Sequence, residues 1–122
     1  LKFAQMLLNG GKLDDVRILS RKSVELLSSN HLRKEVLNRT GSDDDYVTEG
    51  IGFGITVGVI TDTGLTAQYG SNGMYFWGGA ASTIFWIDPA EELVAVAMTQ
   101  LLASPWPLRE TFSALVYQSI DD

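Results

Sequence analysis

A chain of 122 residues with nine Lys and Arg against fifteen Asp and Glu, for a formal net charge of −6, is not built to bind nucleic acid, which needs clustered cations. At 45% hydrophobic and 10% aromatic residues it can bury a two-layer core, and without cysteine it has no disulfide, thiolate zinc site or cysteine nucleophile. Gly, Thr, Asp or Gln interrupts each apolar run short of the roughly 20 residues of a membrane span, so none is expected.

In chain order, Leu1 to Asn9 places Phe3, Met6 and Leu7, with Leu8 at the margin, on one helical face. It stops at Gly10-Gly11, which suits a left-handed helix end. The start at Leu1, inside a helical pattern and without an initiator Met or a leader, is expected of a chain cut from something longer, and localisation is not read from it. Ser20 is an N-cap for a second helix to about Ser29, with Leu19 and Val24 spaced as a hydrophobic staple. Residues 1–37 are thus a helical segment. Residues 38–50 hold three consecutive aspartates and no periodicity, and read as an exposed acidic loop.

From Ile51 to Ile60 the pattern has period two, with Ile51, Phe53, Ile55, Val57 and Val59 on one face and Gly52, Gly54, Thr56 and Gly58 on the other. This predicts one strand. Asp62-Thr63-Gly64 supplies a turn, and further extended stretches follow at 66–77, 80–88 and 92–100, the last two joined by Asp88-Pro89-Ala90-Glu91. Pro105 and Pro107 introduce a final helix whose stripe is Leu108, Phe112, Leu115, Val116 and Ser119. The fold class is α+β: an antiparallel sheet of about four strands flanked by helices, in a single partial domain over 1–122, with 51–122 holding the strands and last helix.

Several short patterns carry no chemistry on inspection. Gly50, Gly52 and Gly54 do not make a dinucleotide fingerprint, because Val57 stands where the last glycine belongs and no helix follows. Asp43, Asp44 and Asp45 with Glu49 miss the calcium-loop spacing, so no metal site is expected. Asn38-Arg39-Thr40 fits the glycosylation sequon, which is too short to argue from. His31, the one histidine, stands among Asn30, Arg33 and Lys34 and reads as solvated. Gly70-Ser71 follows Tyr69 and lacks the glycine spacing of a nucleophile elbow.

The informative stretch is Tyr75-Phe76-Trp77-Gly78-Gly79-Ala80, running through Asp88-Pro89 to Gln100. With Phe3 to Gly11, Ile18 to Leu27 and Gly52-Phe53-Gly54 it resembles, in order and spacing, the C-terminal portion of the β-lactamase/transpeptidase-like fold, in the class C β-lactamase-like and penicillin-binding-protein-like serine hydrolases. The resemblance covers nearly the whole chain. It identifies Trp77-Gly78-Gly79 as the third active-site motif, in the form used by an esterase-type branch in place of Lys-Thr-Gly or His-Thr-Gly. It implies that Ala80 donates a backbone N–H to an oxyanion and that Gly79 gives the substrate clearance. Trp77 in place of a cation disfavours a β-lactam carboxylate and favours ester or amide substrates with an apolar face.

The family's nucleophile is a serine in S-x-x-K, and no S-x-x-K occurs in the chain. Ser28-Ser29-Asn30 has the loose form of the second motif but stands only 47 residues before Trp77 at a helix end. Tyr69-Gly70-Ser71-Asn72 is one residue too long for the Tyr-x-Asn form and reads as a turn. No catalytic residue is therefore assigned here and no cofactor is expected. The resemblance implies a fragment of an acyl-serine hydrolase, inactive alone, whose partner is the N-terminal half of the same fold or a second copy. The alternative is a non-catalytic interaction module or inactive penicillin-binding-like scaffold that pairs through an open sheet edge.

Overall fold

The computed structural model describes residues 1–33 and 49–121. Helix α1 (Lys2–Leu8) leads into a short hairpin, β1 (Lys12–Leu13) and β2 (Val16–Arg17), and then helix α2 (Arg21–Leu27). Strands β3 (Ile51–Phe53) and β4 (Gly58–Ile60) precede a one-turn helix, α3 (Thr63–Thr66). Strands β5 (Tyr75–Gly78), β6 (Ile84–Asp88) and β7 (Leu93–Ala97) and helix α4 (Leu108–Tyr117) complete the order. The sheet is an antiparallel meander, β3-β4-β5-β6-β7.

Local chemistry explains the ends of the elements. α1 stops where Gly10 and Gly11 take φ of 62° and 94°, letting the Gly10 and Gly11 N–H groups turn back to the carbonyls of Leu7 and Met6. Ser20 accepts from the Ser23 N–H at 3.0 Å and caps α2, with Val24 buried and Leu19 packed beside the same core. The hairpin between the helices has no clear sequence signal, because each strand is only two residues long.

The expected single strand over 51–60 is two strands. The alternation of apolar and small residues runs unbroken through a turn: Thr56 adopts φ of 70°, the Gly54 N–H bonds the Val57 carbonyl at 2.8 Å, and Ile55 is exposed. The turn is pinned against α2, whose Leu27 carbonyl accepts from the Ile55 N–H at 2.9 Å. A Cβ at Gly54 would lie 2.1 Å from that carbonyl oxygen, so glycine is required by space. The sheet therefore has five strands. The extended stretch expected over 66–77 begins only at Tyr75, since Asp62 caps α3 by accepting from the Gly64 N–H at 2.9 Å.

Register sorts the strand residues onto two faces. Val59, Tyr75, Ile87 and Val94 form one row across β4 to β7 and pack with Ala4, Met6 and Leu7 of α1 and Val24 of α2. Phe76, Trp86 and Ala95 form the adjacent row on the other face, with Phe112 and Val116 of α4. Two expected helical faces are corrected: Phe3 is exposed while Ala4 joins Met6 and Leu7 in the core, and Leu115 is exposed while Tyr117 packs inward. The first shift is one position along the helix and the second two, within what an amphipathic pattern leaves open.

The acidic loop expected at 38–50, with Asp43, Asp44, Asp45 and the sequon at Asn38, lies outside the described residues except for Glu49 and Gly50, which form a turn. Among the described residues no helix is long and apolar enough to cross a membrane, and no cluster of potential metal ligands occurs.

Candidate active site at the end of strand five

β5 is longer than its neighbour. β4 pairs with it only at Gly58↔Phe76 and Val59↔Tyr75, whereas β6 pairs with it through Trp77↔Phe85 and Gly78↔Ile84. The end of β5 thus extends past β4, leaving its β4-side edge open from Gly78 onward. Trp77 is half-buried there, its ring edge-to-face with Phe53 at 5.2 Å between centroids.

The turn after β5 is tight and well bonded. The Gly79 N–H donates to the Thr83 carbonyl at 3.1 Å and the Ser82 N–H returns to the Gly79 carbonyl at 3.0 Å. Ser82 has φ of 61°, a conformation usually left to glycine, and its hydroxyl donates to the Leu101 carbonyl at 2.8 Å. The segment after β7 braces the other side, with the Leu101 N–H on the Ala81 carbonyl at 3.3 Å. Ala80, at the tip, is exposed, and among the described residues its N–H has no partner.

A further residue enters this site from α4. Arg109 lays its guanidinium over Gly78 and donates from Nη2 to the Gly79 carbonyl at 2.8 Å. A Cβ at Gly78 would stand 2.8 Å from the guanidinium carbon, so the glycine makes room for the cation. Sequence reading missed Arg109. It lies 30 residues from Gly79, and only the packing of α4 on the sheet brings the two together.

Other residues weighed from sequence have structural duties. The Ser28 hydroxyl donates to the Val24 carbonyl at 3.0 Å, and the Asn30 Oδ1 accepts from the Leu32 N–H at 2.9 Å and the Phe53 N–H at 3.1 Å, tying the end of α2 to β3. His31 is exposed, with Nε2 2.7 Å from the Leu26 carbonyl. The Tyr69 ring stacks on Tyr117 at 6.0 Å, and the Asn72 Oδ1 accepts from the Thr63 N–H at 2.9 Å, so that segment is a turn.

Beneath the loop lies a wholly buried carboxylate. Asp88 accepts from the Ser71 N–H at 3.0 Å, the Ala90 N–H at 3.2 Å and the Tyr117 hydroxyl at 2.8 Å, joining the end of β6, the loop before β5 and the end of α4. Burial, with the bond and charge of Asp88, raises the Tyr117 pKa far above that of a free tyrosine. Between α4 and the sheet is a cavity of about 500 Å³ bordered by Tyr69, Phe76, Trp86, Arg109 and Ser113.

The family model described as Beta-lactamase matches residues 2–118. The chain belongs to the beta-lactamase family. Protein Rv1367c of Mycobacterium tuberculosis (strain ATCC 25618 / H37Rv) is 32% identical to this member over 103 residues, covering 82% of the chain and 25% of that protein. Among solved structures, EstCE1, a hydrolase with promiscuous acyltransferase activity, superimposes with a TM-score of 0.67 at 25% identity, over 90% of this chain and 26% of that one. Simvastatin synthase (LovD) from Aspergillus terreus gives 0.71 at 19% identity, over 96% of this chain and 32% of that one, a likeness of fold. The chain thus spans about a quarter of the curated relative it matches. The expected β-lactamase-like fold holds, as does the expectation of a piece of a serine-hydrolase family member.

Proposed function

We propose that this chain carries the oxyanion-binding side of an acyl-transferring serine hydrolase of the esterase type, while the nucleophile lies outside it. In the parent reaction, a serine oxygen attacks the ester carbonyl carbon and passes its proton to a base. The carbonyl π pair moves onto oxygen, and collapse of the adduct expels the alcohol, which takes a proton. Water then cleaves the acyl-serine by the same steps. Ala80 N–H is the group in this chain suited to the transient oxyanion, Gly79 gives clearance for the acyl group, and Trp77 walls an apolar substrate.

The observation that carries this reading is the overhang of β5, which leaves Gly78 to Ala80 on an open edge with the Ala80 N–H unpartnered among the described residues. A donor aimed at developing charge in a site shielded from water is a large contributor to catalysis. EstCE1, a hydrolase with promiscuous acyltransferase activity, supports an acyl-bearing substrate.

Without an S-x-x-K serine, the chain alone is inactive. The assay is hydrolysis of a short-chain nitrophenyl ester and a chromogenic cephalosporin, with labelling by a fluorophosphonate probe. Neither turnover nor label is expected on the chain alone, and both the ester activity and the label are expected on the polypeptide that contains it. Stoichiometric labelling of a serine within these 122 residues would overturn the assignment.

The partner is the remainder of the fold or a second copy, pairing at β7. That strand ends the sheet order, with no strand beyond it among the described residues, and presents unpaired backbone groups. Light scattering of the isolated chain should give a mass above one copy at micromolar concentration. A monomer with slow hydrogen exchange along Leu93–Ala97 would count against it.

A further inference from the structure

We infer that Arg109 is a positioning residue for the oxyanion donor: by holding the Gly79 carbonyl it aims and strengthens the Ala80 N–H. The inference rests on the oxyanion reading of Ala80 given above and adds the side chain that makes that amide an effective donor.

The Gly79 carbonyl and the Ala80 N–H belong to one amide plane, and in a trans peptide they point in opposite directions. Among the described residues no peptide bond is cis. Whatever fixes the carbonyl therefore fixes the N–H. The Gly79 oxygen accepts twice, from the Ser82 N–H at 3.0 Å within the turn and from Arg109 Nη2 at 2.8 Å. Both donors lie on the side away from the Ala80 N–H, so that hydrogen is directed out of the turn. The first bond closes the turn. The second ties it to α4, a separate element, and stops the 79–80 peptide from rotating.

Polarity adds to geometry. A hydrogen bond from a cation is roughly twice as strong as one between neutral groups. Electron density drawn onto the Gly79 oxygen leaves the amide nitrogen poorer and its hydrogen more acidic, the cooperative polarisation of linked hydrogen bonds. The cost of an unpaired amide at the tip is low in the free protein because Ala80 is exposed. The gain appears when a negative oxygen forms opposite it. Arg109 is thus expected to act on the transition state far more than on substrate binding. Gly78 serves the same device, since any side chain there would displace the guanidinium.

The test uses the full-length polypeptide that contains this chain, with a nitrophenyl ester as substrate and active sites counted by fluorophosphonate titration. Ala80→Pro replaces the N–H with the ring Cδ, at a turn position where proline is well accommodated. It is expected to lower kcat by about 100-fold, the effect of deleting one oxyanion donor. Arg109→Met is expected to lower kcat by about 10-fold with KM within about twofold, the pattern of a contact made only in the transition state. Arg109→Lys, which keeps a charged donor, should recover most of that loss. The Gly79 carbonyl carbon resonance should move upfield in Arg109→Met and return in Arg109→Lys.

If Arg109→Met leaves kcat unchanged while Ala80→Pro is crippled, the role given to Arg109 is wrong and the oxyanion reading stands. If Ala80→Pro retains full activity, the oxyanion reading itself falls. A loss in Arg109→Met that appears only as fewer titratable sites, with normal kcat per site, marks a structural contact and overturns the inference. Should Arg109→Met fail to fold, an unmoved Gly79 carbonyl resonance in Arg109→Gln would do the same.

Discussion

On the α1 side of the sheet, Ala4, Met6, Leu7 and Val24 meet Val59, Tyr75 and Ile87, and every one of these residues is buried. On the α4 side the helix buries none of its residues fully, and a cavity of about 500 Å³ remains between it and the strands. The α1 face is closed by elements that lie in the first 27 residues, followed in sequence by the strands they cover. Among the described residues, α4 is the helix packed on that face of the five strands. Closing a sheet face needs enough apolar side chains to match its rows, and this chain supplies them for one face. The functional consequence sits at the boundary: α4 lies loosely over the sheet yet delivers Arg109 to the turn that carries Ala80.

Truncations on each face test the comparison most strongly. Ile87→Ala, at a site with no solvent exposure on the closed face, should cost about 4 kcal/mol in urea unfolding, as deep cavity-forming changes do. Phe112→Ala, beneath the loosely covered face, should cost about 2 kcal/mol, because the side chain is only partly buried. Equal losses would erase the distinction. Gly54→Ala comes next, at about 3 kcal/mol, since its methyl group would strike the Leu27 carbonyl and push α2 off the closed face.

Alkali gives a finer test. Burial pushes Tyr75 from 10.0 up to about 12. The unfolded chain releases this proton near pH 10 while the folded chain holds it, so the stabilisation is complete below pH 10 and is lost as pH rises from 10 toward 12. The slope is about 1.4 kcal/mol per pH unit for one such group. Tyr117 on the other face is raised as well and adds to the loss. The urea midpoint should fall steeply above pH 10, and less steeply in Tyr75→Phe, where only Tyr117 remains to contribute. An unchanged slope in Tyr75→Phe would mean that Tyr75 is not enclosed. The smallest effect is expected for Leu115→Ser, within about 0.5 kcal/mol, because that side chain is exposed.

What could be read from sequence was what neighbours along the chain decide. Ser20 as a cap and Gly10-Gly11 as a helix stop are local stereochemistry, and each stands in the structure. The break at Gly54 to Val57 was hidden because alternation continues through the turn, and only the Leu27 carbonyl on α2 explains it. Asp88 read as a turn residue before Pro89, yet it is wholly buried by three donors from separate segments. Arg109 was one basic residue on an amphipathic helix. Its role depends on where α4 crosses β5, a long-range fact that no local pattern encodes.

The central claim is that the Ala80 N–H receives the oxyanion. Its most direct test is a crystal structure of the full-length polypeptide with a phosphonate bound covalently at its nucleophile, because the tetrahedral phosphorus oxygen occupies the place of the oxyanion. That oxygen is expected about 2.7–3.1 Å from the Ala80 nitrogen, with Arg109 still on the Gly79 carbonyl. A phosphonate oxygen held by other donors, with the Ala80 N–H turned toward solvent or paired within the protein, would contradict it.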